Sequence, residues 1–330
     1  MVHRSLLRRL KVGTKHLLDH IRPYFLLTGI SPIPGYTARQ FGSLIHREAS
    51  VRGRLGLCEP AWFQMNRGAF CRNIRVPGKH FCYVGEDSSL LDRTVRSHTM
   101  VFDGAILEGR ECPARGITVS VDLEGNTASS CDGSAGEREV QREAAERARI
   151  IHSIFQDLGL RTVWYVVGSL FEDREMKSLC EEIMDDPNIE IGWHTQNHIN
   201  YFDADEDAVK RDMECADTIR HRYSLDMTAM AFPYNAVGYV EEVIANGFTK
   251  LRGYVGQYSL PFTVDFGMFL FCGTTLYLGP HTVAASRRAL SAIKGGSNIF
   301  LHPVDWIGCD LDPLRHALES LRATFNQAES

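Results

Sequence analysis

The chain has 330 residues, of which 44% are apolar and 23% charged, and a formal net charge of -5. This is the make-up of a globular protein with room for one large α/β domain plus an extension, or for two ordinary domains, and it gives no reason to expect nucleic acid as a partner. Nine cysteines, odd in number and without CxxC spacing, argue against a disulfide framework and against a cysteine zinc ribbon, so free thiols in a reducing, cytoplasmic setting are expected.

Residues 1–25 carry Arg4, Arg8, Arg9, Lys11, Lys15 and Arg22 against Asp19 alone, and contain neither the apolar core of a signal peptide nor a run long enough to span a bilayer. Leu6, Leu7, Leu10, Leu17, Leu18 and Ile21 partly follow a helical period. The segment suits a basic amphipathic helix in peripheral contact with an anionic membrane, and equally a helix docked on the domain with its basic side in water. From 25 to 115 the chain is rich in Gly, Arg and Cys, shows no repeat, and has no fold legible from its pattern. The expected division is an N-terminal extension over 1–115 and a second domain over 116–330.

That second part alternates strands with helices. "GITVSVD" (116–122) reads as a strand. In the helix over 137–158, Val140, Ala144, Ala148, Ile151, Phe155 and Leu158 form one stripe, and Gly159 follows as a stop. Strands are predicted at 161–168, 188–193, 227–234 (stopped by Pro233), 248–254 and 297–302. Helices are predicted at 172–184, 205–222, 239–247 and 311–325. Such alternation implies a parallel sheet, and this many units in about 200 residues implies a closed or nearly closed β/α barrel.

Chemistry in such a barrel sits at the C-terminal ends of the strands. Those ends carry Asp122 and Glu124, then His194 and His198, then Pro233, Tyr234 and Asn235, and finally His302. The two histidines, four apart at the expected start of a helix, would share one face. With Glu124 they offer two nitrogens and an oxygen, the donor set of a catalytic Zn²⁺ site, although other divalent ions also accept it. A loop carboxylate capping a helix is the plainer reading of Glu124, and a buried core histidine that of His302. "HTQNH" lacks the glutamate of the HExxH helix, so the base that deprotonates water must come from elsewhere, and Asp122 is nearest. His302 is placed to protonate a departing amine. Together these residues describe metal-assisted hydrolysis of an amide or ester.

At this point the residues resemble the NodB-homology polysaccharide deacetylases, carbohydrate esterase family 4. "SVDLEG" is similar to the family's first motif, His194, Thr195 and His198 match the second, "AFPYN" resembles the third and "IFLH" the last. The resemblance covers about 116–305. It implies a distorted (β/α) barrel of NodB deacetylase type, a divalent metal on Glu124, His194 and His198, Asp122 as base and His302 as acid. Pro233, Tyr234 and Asn235 would bind substrate. Three departures stand out. Leu123 separates the two acids, Ala231 replaces the arginine that opens the third motif, and the fourth motif's Asp and Trp have no clear counterpart. Arg252, at the end of the next strand, is the expected substitute for that arginine. The implied activity is removal of an acyl group from an N-acylated sugar, glycan or related small molecule, and the alternative is a non-catalytic carbohydrate-binding barrel.

Overall fold

The computed structural model describes short strands between Thr37 and Glu111 and, beyond them, residues 117–125, 135–201, 204–254, 263–283 and 296–328. The basic helix expected within 1–25 lies outside the described residues. The chain divides into two compact units, Met1–Arg110 with Val255–Gln257, and Glu111–Tyr254 with Tyr258–Ser330.

The first unit does have a repeat. Strands of two or three residues stack in parallel every 19 or 20 positions: Thr37 pairs with Gly56, Leu55 with Ile74, Ser43 with Phe63, Phe63 with Cys82, Ser50 with Phe70, and Phe70 with Ser89. Three strands recur per turn, which is the arrangement of a small parallel β-solenoid. The longer strands His98–Phe102 and Ala105–Glu111 then pair as an antiparallel hairpin.

In the second unit the elements run β1 (Thr118–Leu123), α1 (Ala135–Leu158), β2 (Thr162–Val166), α2 (Lys177–Met184), β3 (Ile189–Trp193), α3 (Glu206–Tyr223), β4 (Ala229–Ala236), α4 (Val240–Ala245), β5 (Lys250–Tyr254), β6 (Thr263–Asp265), β7 (Leu270–Tyr277), β8 (Asn298–Leu301) and α5 (Asp312–Ala328). Parallel pairing runs from β1 through β2, β3, β4 and β5 to β7, then β8, and from β8 back to β1. Seven parallel strands therefore close a barrel. β6 adds an antiparallel strand to β7.

Local sequence explains the elements. β1 alternates, so the two-residue period puts Ser120, Asp122 and then Glu124 on the face opposite Val119, Val121 and Leu123. This is why an acid-x-acid spacing keeps both carboxylates on one side. On α1 the apolar stripe is buried through Ala144, Ala148, Ile151, Phe155 and Leu158. Burial of Ile151 and Phe155 contributes roughly 1.5–3 kcal/mol each, and Ala148 is fully buried between them and Ala144 on the stripe. Gly159 ends the helix at φ +61, where a Cβ would be strained. α3 is capped by Asp205, just ahead of its first turn, whose carboxylate accepts from the Ala208 N–H at 2.7 Å.

Pro233 does not stop β4, contrary to the sequence reading. The strand runs on to Ala236, and the proline falls in an irregularity between the Ala231–Arg252 and Ala236–Tyr254 pairs, where no ladder N–H is needed. Tyr234 and Asn235 take left-handed conformations there, φ 57 and 54.

Among the described residues no helix is long and apolar enough to cross a membrane. Cys180, Cys215 and Cys309 are free thiols.

Candidate functional site

The expected residues come together at one end of the barrel. Glu124 Oε1 lies 3.2 Å from His194 Nε2 and 3.1 Å from His198 Nε2. His194 Nδ1 donates to the carbonyl of Ala231 at 2.8 Å. In the neutral ring that commitment leaves Nε2 as a bare lone pair aimed at a carboxylate oxygen, an arrangement that repels unless a cation lies between them. Four-coordinate Zn²⁺ with bonds of about 2.0–2.1 Å sets its ligand atoms about 3.3 Å apart. The three donors fit a divalent ion. Ala231, which brings no guanidinium, contributes its backbone carbonyl to orient a ligand.

The histidine pair is not helical, as its spacing had suggested. Residues 194–200 form a loop in which Thr195 and His198 are left-handed, φ 61 and 54. The rings face each other at 5.0 Å between centroids. Thr195 Oγ1 accepts from the Ile199 N–H at 2.9 Å, and the N–H groups of Gly168 and Ser169 donate to the carbonyls of Thr195 and Gln196 at 2.9 Å each. Gly168 must be glycine, since a Cβ would stand 2.2 Å from Gln196 Oε1 and 2.3 Å from the Trp193 ring.

Asp122 is buried, and Arg252 donates to its Oδ2 from a fully buried position on β5. The same guanidinium donates to Ser120 Oγ at 3.1 Å and lies 4.8 and 5.0 Å from the ring centroids of Tyr165 and Phe300. Burial pushes the Asp122 pKa up, but the charges of Arg252, His194 and His302 hold it well below the usual carboxylate range. Its other oxygen, Oδ1, is buried without a hydrogen-bond partner. Glu124 is also held low: burial raises it, and the close imidazoles of His194 and His198, which donate to it only when protonated, more than reverse this.

His302 follows β8, with Nε2 3.4 Å from Asp122 Oδ2 and 3.5 Å from Glu124 Oε1. Its Nδ1 lies 2.9 Å from Asp305 Oδ2, and Tyr277 OH donates to that same oxygen. Burial lowers the imidazole pKa, but hydrogen bonds to Asp122 and Asp305, with the charges of Asp122 and Glu124, raise it to about 10. Asp305 and Tyr277 were not anticipated. The only signal was an aspartate three residues after the histidine in "HPVD". Tyr234, 64% exposed, sets its ring 4.7 Å from that of His198 at the rim of the site.

A family model described as polysaccharide deacetylase matches residues 142–246, from α1 through the two histidines to the end of α4. The barrel has the polysaccharide deacetylase fold. A protein from Mycobacterium smegmatis classed as a polysaccharide deacetylase superposes with a TM-score of 0.52 at 13% identity, over 66% of this chain and 89% of that one. Puue allantoinase superposes with a TM-score of 0.50 at 12% identity, over 64% and 85%. At such identities the likeness is one of fold. No curated protein matches the sequence. The matched span holds His194, His198 and the Pro233–Asn235 turn, while Asp122, Glu124, Arg252 and His302 lie outside it. Their assignment rests on their geometry.

Proposed function

We propose that this chain is a metal-dependent hydrolase that removes an acyl group from an amide nitrogen, acting on an N-acylated sugar, glycan or related small molecule. One observation carries the reading: two imidazole nitrogens lie 3.2 and 3.1 Å from one carboxylate oxygen, all three donors within 4.8 Å of one another, beside an acid and an imidazole paired for opposite proton transfers.

Glu124, His194 and His198 hold the ion, Zn²⁺ being the best match to the donor set. When bound, a divalent ion there acidifies water and polarises a carbonyl oxygen. Asp122, kept ionised by Arg252, takes a proton from the attacking water through its unpartnered Oδ1. His302, kept cationic by the surrounding carboxylates, gives its Nε2 proton to the amine nitrogen as the carbon–nitrogen bond breaks. A carboxylate and an amine leave. Asp305 and Tyr277 hold the His302 ring so that Nε2, not Nδ1, faces the reacting atoms. The exposed Tyr234 ring, with Pro233 and Asn235 forming its turn, offers a flat surface for a sugar ring.

A carbohydrate-binding barrel without activity has no use for a cationic donor facing an ionised base. The deciding experiment measures acetate and formate release from a panel of N-acylated amino sugars, before and after chelation and after Zn²⁺ is restored. Release that ignores the chelator, or no release from any member of the panel, overturns the reading.

A further inference from the structure

α3 buries one face through Val209, Met213, Ala216 and Ile219, and in the middle of that stripe stands an acid, Asp212, 3% exposed. Placing a carboxylate among apolar neighbours costs several kcal/mol unless donors satisfy it. Three do. Trp193 Nε1 donates to Oδ2 at 2.9 Å, Tyr201 OH donates to Oδ2 at 2.6 Å, and the Gln196 N–H donates to Oδ1 at 2.5 Å.

These donors belong to one short stretch of chain. Trp193 directly precedes His194, Gln196 lies midway between the two histidines, and Tyr201 comes three residues after His198. The stretch between them carries two left-handed non-glycine residues, Thr195 and His198, each a conformation that costs on the order of 1 kcal/mol or more. Something outside the loop must hold that backbone. The helix itself has no such need: its apolar face and the Asp205 cap already anchor it. Trp193 and Tyr201 are both fully buried, so neither donor can turn to water if the acid is lost.

We propose that Asp212 is a positioning residue for the metal centre, its two oxygens pinning residues 193–201 in the arc that carries His194 and His198 onto Glu124. The inference rests on the metal reading above. It deepens that reading by naming a helix residue, outside the donor set, that sets how well the site binds its ion.

The test uses the full chain, stripped of metal, with Zn²⁺ and Co²⁺ as probes. Binding is measured by competition with a chromophoric chelator, and the visible absorption of the Co²⁺ form reports ligand geometry. Asp212→Asn keeps the shape but has only one acceptor oxygen for three donors. Affinity should fall about tenfold to a hundredfold and the Co²⁺ bands should shift, as when a supporting partner of a metal ligand is removed. Tyr201→Phe removes one donor and keeps the ring, and it should give a smaller change in the same direction while the metal-free unfolding midpoint stays close to wild type. If Asp212→Asn fails to fold, Tyr201→Phe decides. Wild-type affinity and wild-type Co²⁺ spectra in the folded variants overturn this inference alone. A wild-type chain that binds neither ion overturns the metal reading and this inference with it.

Discussion

Arg252 is the residue whose removal says most about the site. Its guanidinium is fully buried, forms the charge partner of an equally buried Asp122, and reaches Ser120 and two aromatic faces. Truncation to alanine leaves Asp122 with two choices. It can stay ionised in a low-dielectric interior, where breaking a buried pair costs about 3–5 kcal/mol of stability. It can instead take up a proton, which spares stability but removes the proposed base. Either way the transition state loses a preorganised charge, worth about 2.7–4 kcal/mol or a hundredfold to a thousandfold in rate. Thermal unfolding and kcat on the best acylated substrate are measured side by side. A second variant asks whether the place of the charge or its source in the chain matters. Ala231 on β4 is the Cα partner of Arg252 on β5 and is fully buried, so Ala231→Arg combined with Arg252→Ala delivers a guanidinium to the same interior from one strand away. The double variant should regain at least about tenfold of the lost rate. An unchanged kcat in Arg252→Ala would refute the reasoning, since Asp122 would then owe its ionisation to something else.

His194→Ala should bring metal content in the purified protein down sharply with the far-UV spectrum intact, and retention of the ion at wild-type affinity would dismiss the ligand set. His302→Ala should slow amide hydrolysis by about a hundredfold or more but affect an activated ester far less, because that leaving group departs without a proton. Equal losses on both substrates would return His302 to a structural role. Asp305→Asn, which weakens the hold on His302 Nδ1, should cost about tenfold on amides and spare the ester in the same way. Acid stability offers an independent check away from the site. Asp186 has its side chain 8% exposed and pairs with His152 at 2.8 Å. Burial raises its pKa, but hydrogen bonds from His152, the Asn188 N–H and Gln156 bring it to about 2. The pair's stabilisation, on the order of 1–2 kcal/mol, is therefore complete above the unfolded aspartate value near 4 and fades as pH falls towards 2. Urea midpoints of wild type and Asp186→Asn should differ at pH 7 and converge near pH 2, and a constant gap would contradict the assignment.

Much of the site was legible because strand ends in a β/α barrel carry their chemistry in chain order, and the two-residue period of β1 fixes which face both acids share. The reach of Arg252 to Asp122 was also expected, and it follows from β5 lying beside β4, where the family's arginine usually sits. What escaped depends on local backbone and distant partners. A four-residue histidine spacing fits a helix as well as it fits a loop, and only the left-handed Thr195 and His198 separate the two. Pro233 reads as a stop because its missing N–H matters in a regular ladder, whereas here it falls where the ladder is broken. Tyr277 and Asp212 meet their partners through tertiary contacts that no period encodes, and Asp305 reaches His302 only because the chain turns in a single 3₁₀ turn over Pro303–Trp306. The solenoid turns stayed hidden because strands of two or three residues are too short to show an alternation.

The barrel closes where β8 pairs with β1, Thr118 facing Asn298 and Val121 facing Leu301. On a ribosome, β1 emerges first and waits, with one edge unpaired, through nearly all of the barrel's synthesis. An open edge of that kind invites pairing with another chain. The same seam joins Asp122 on the first strand to His302 just after the last, so no shorter nascent chain holds both of the groups proposed to transfer protons. On the proposed mechanism, closure of the sheet and competence for the reaction arrive in one step, and a stop codon ahead of His302 would leave a sticky fragment with no activity to select for.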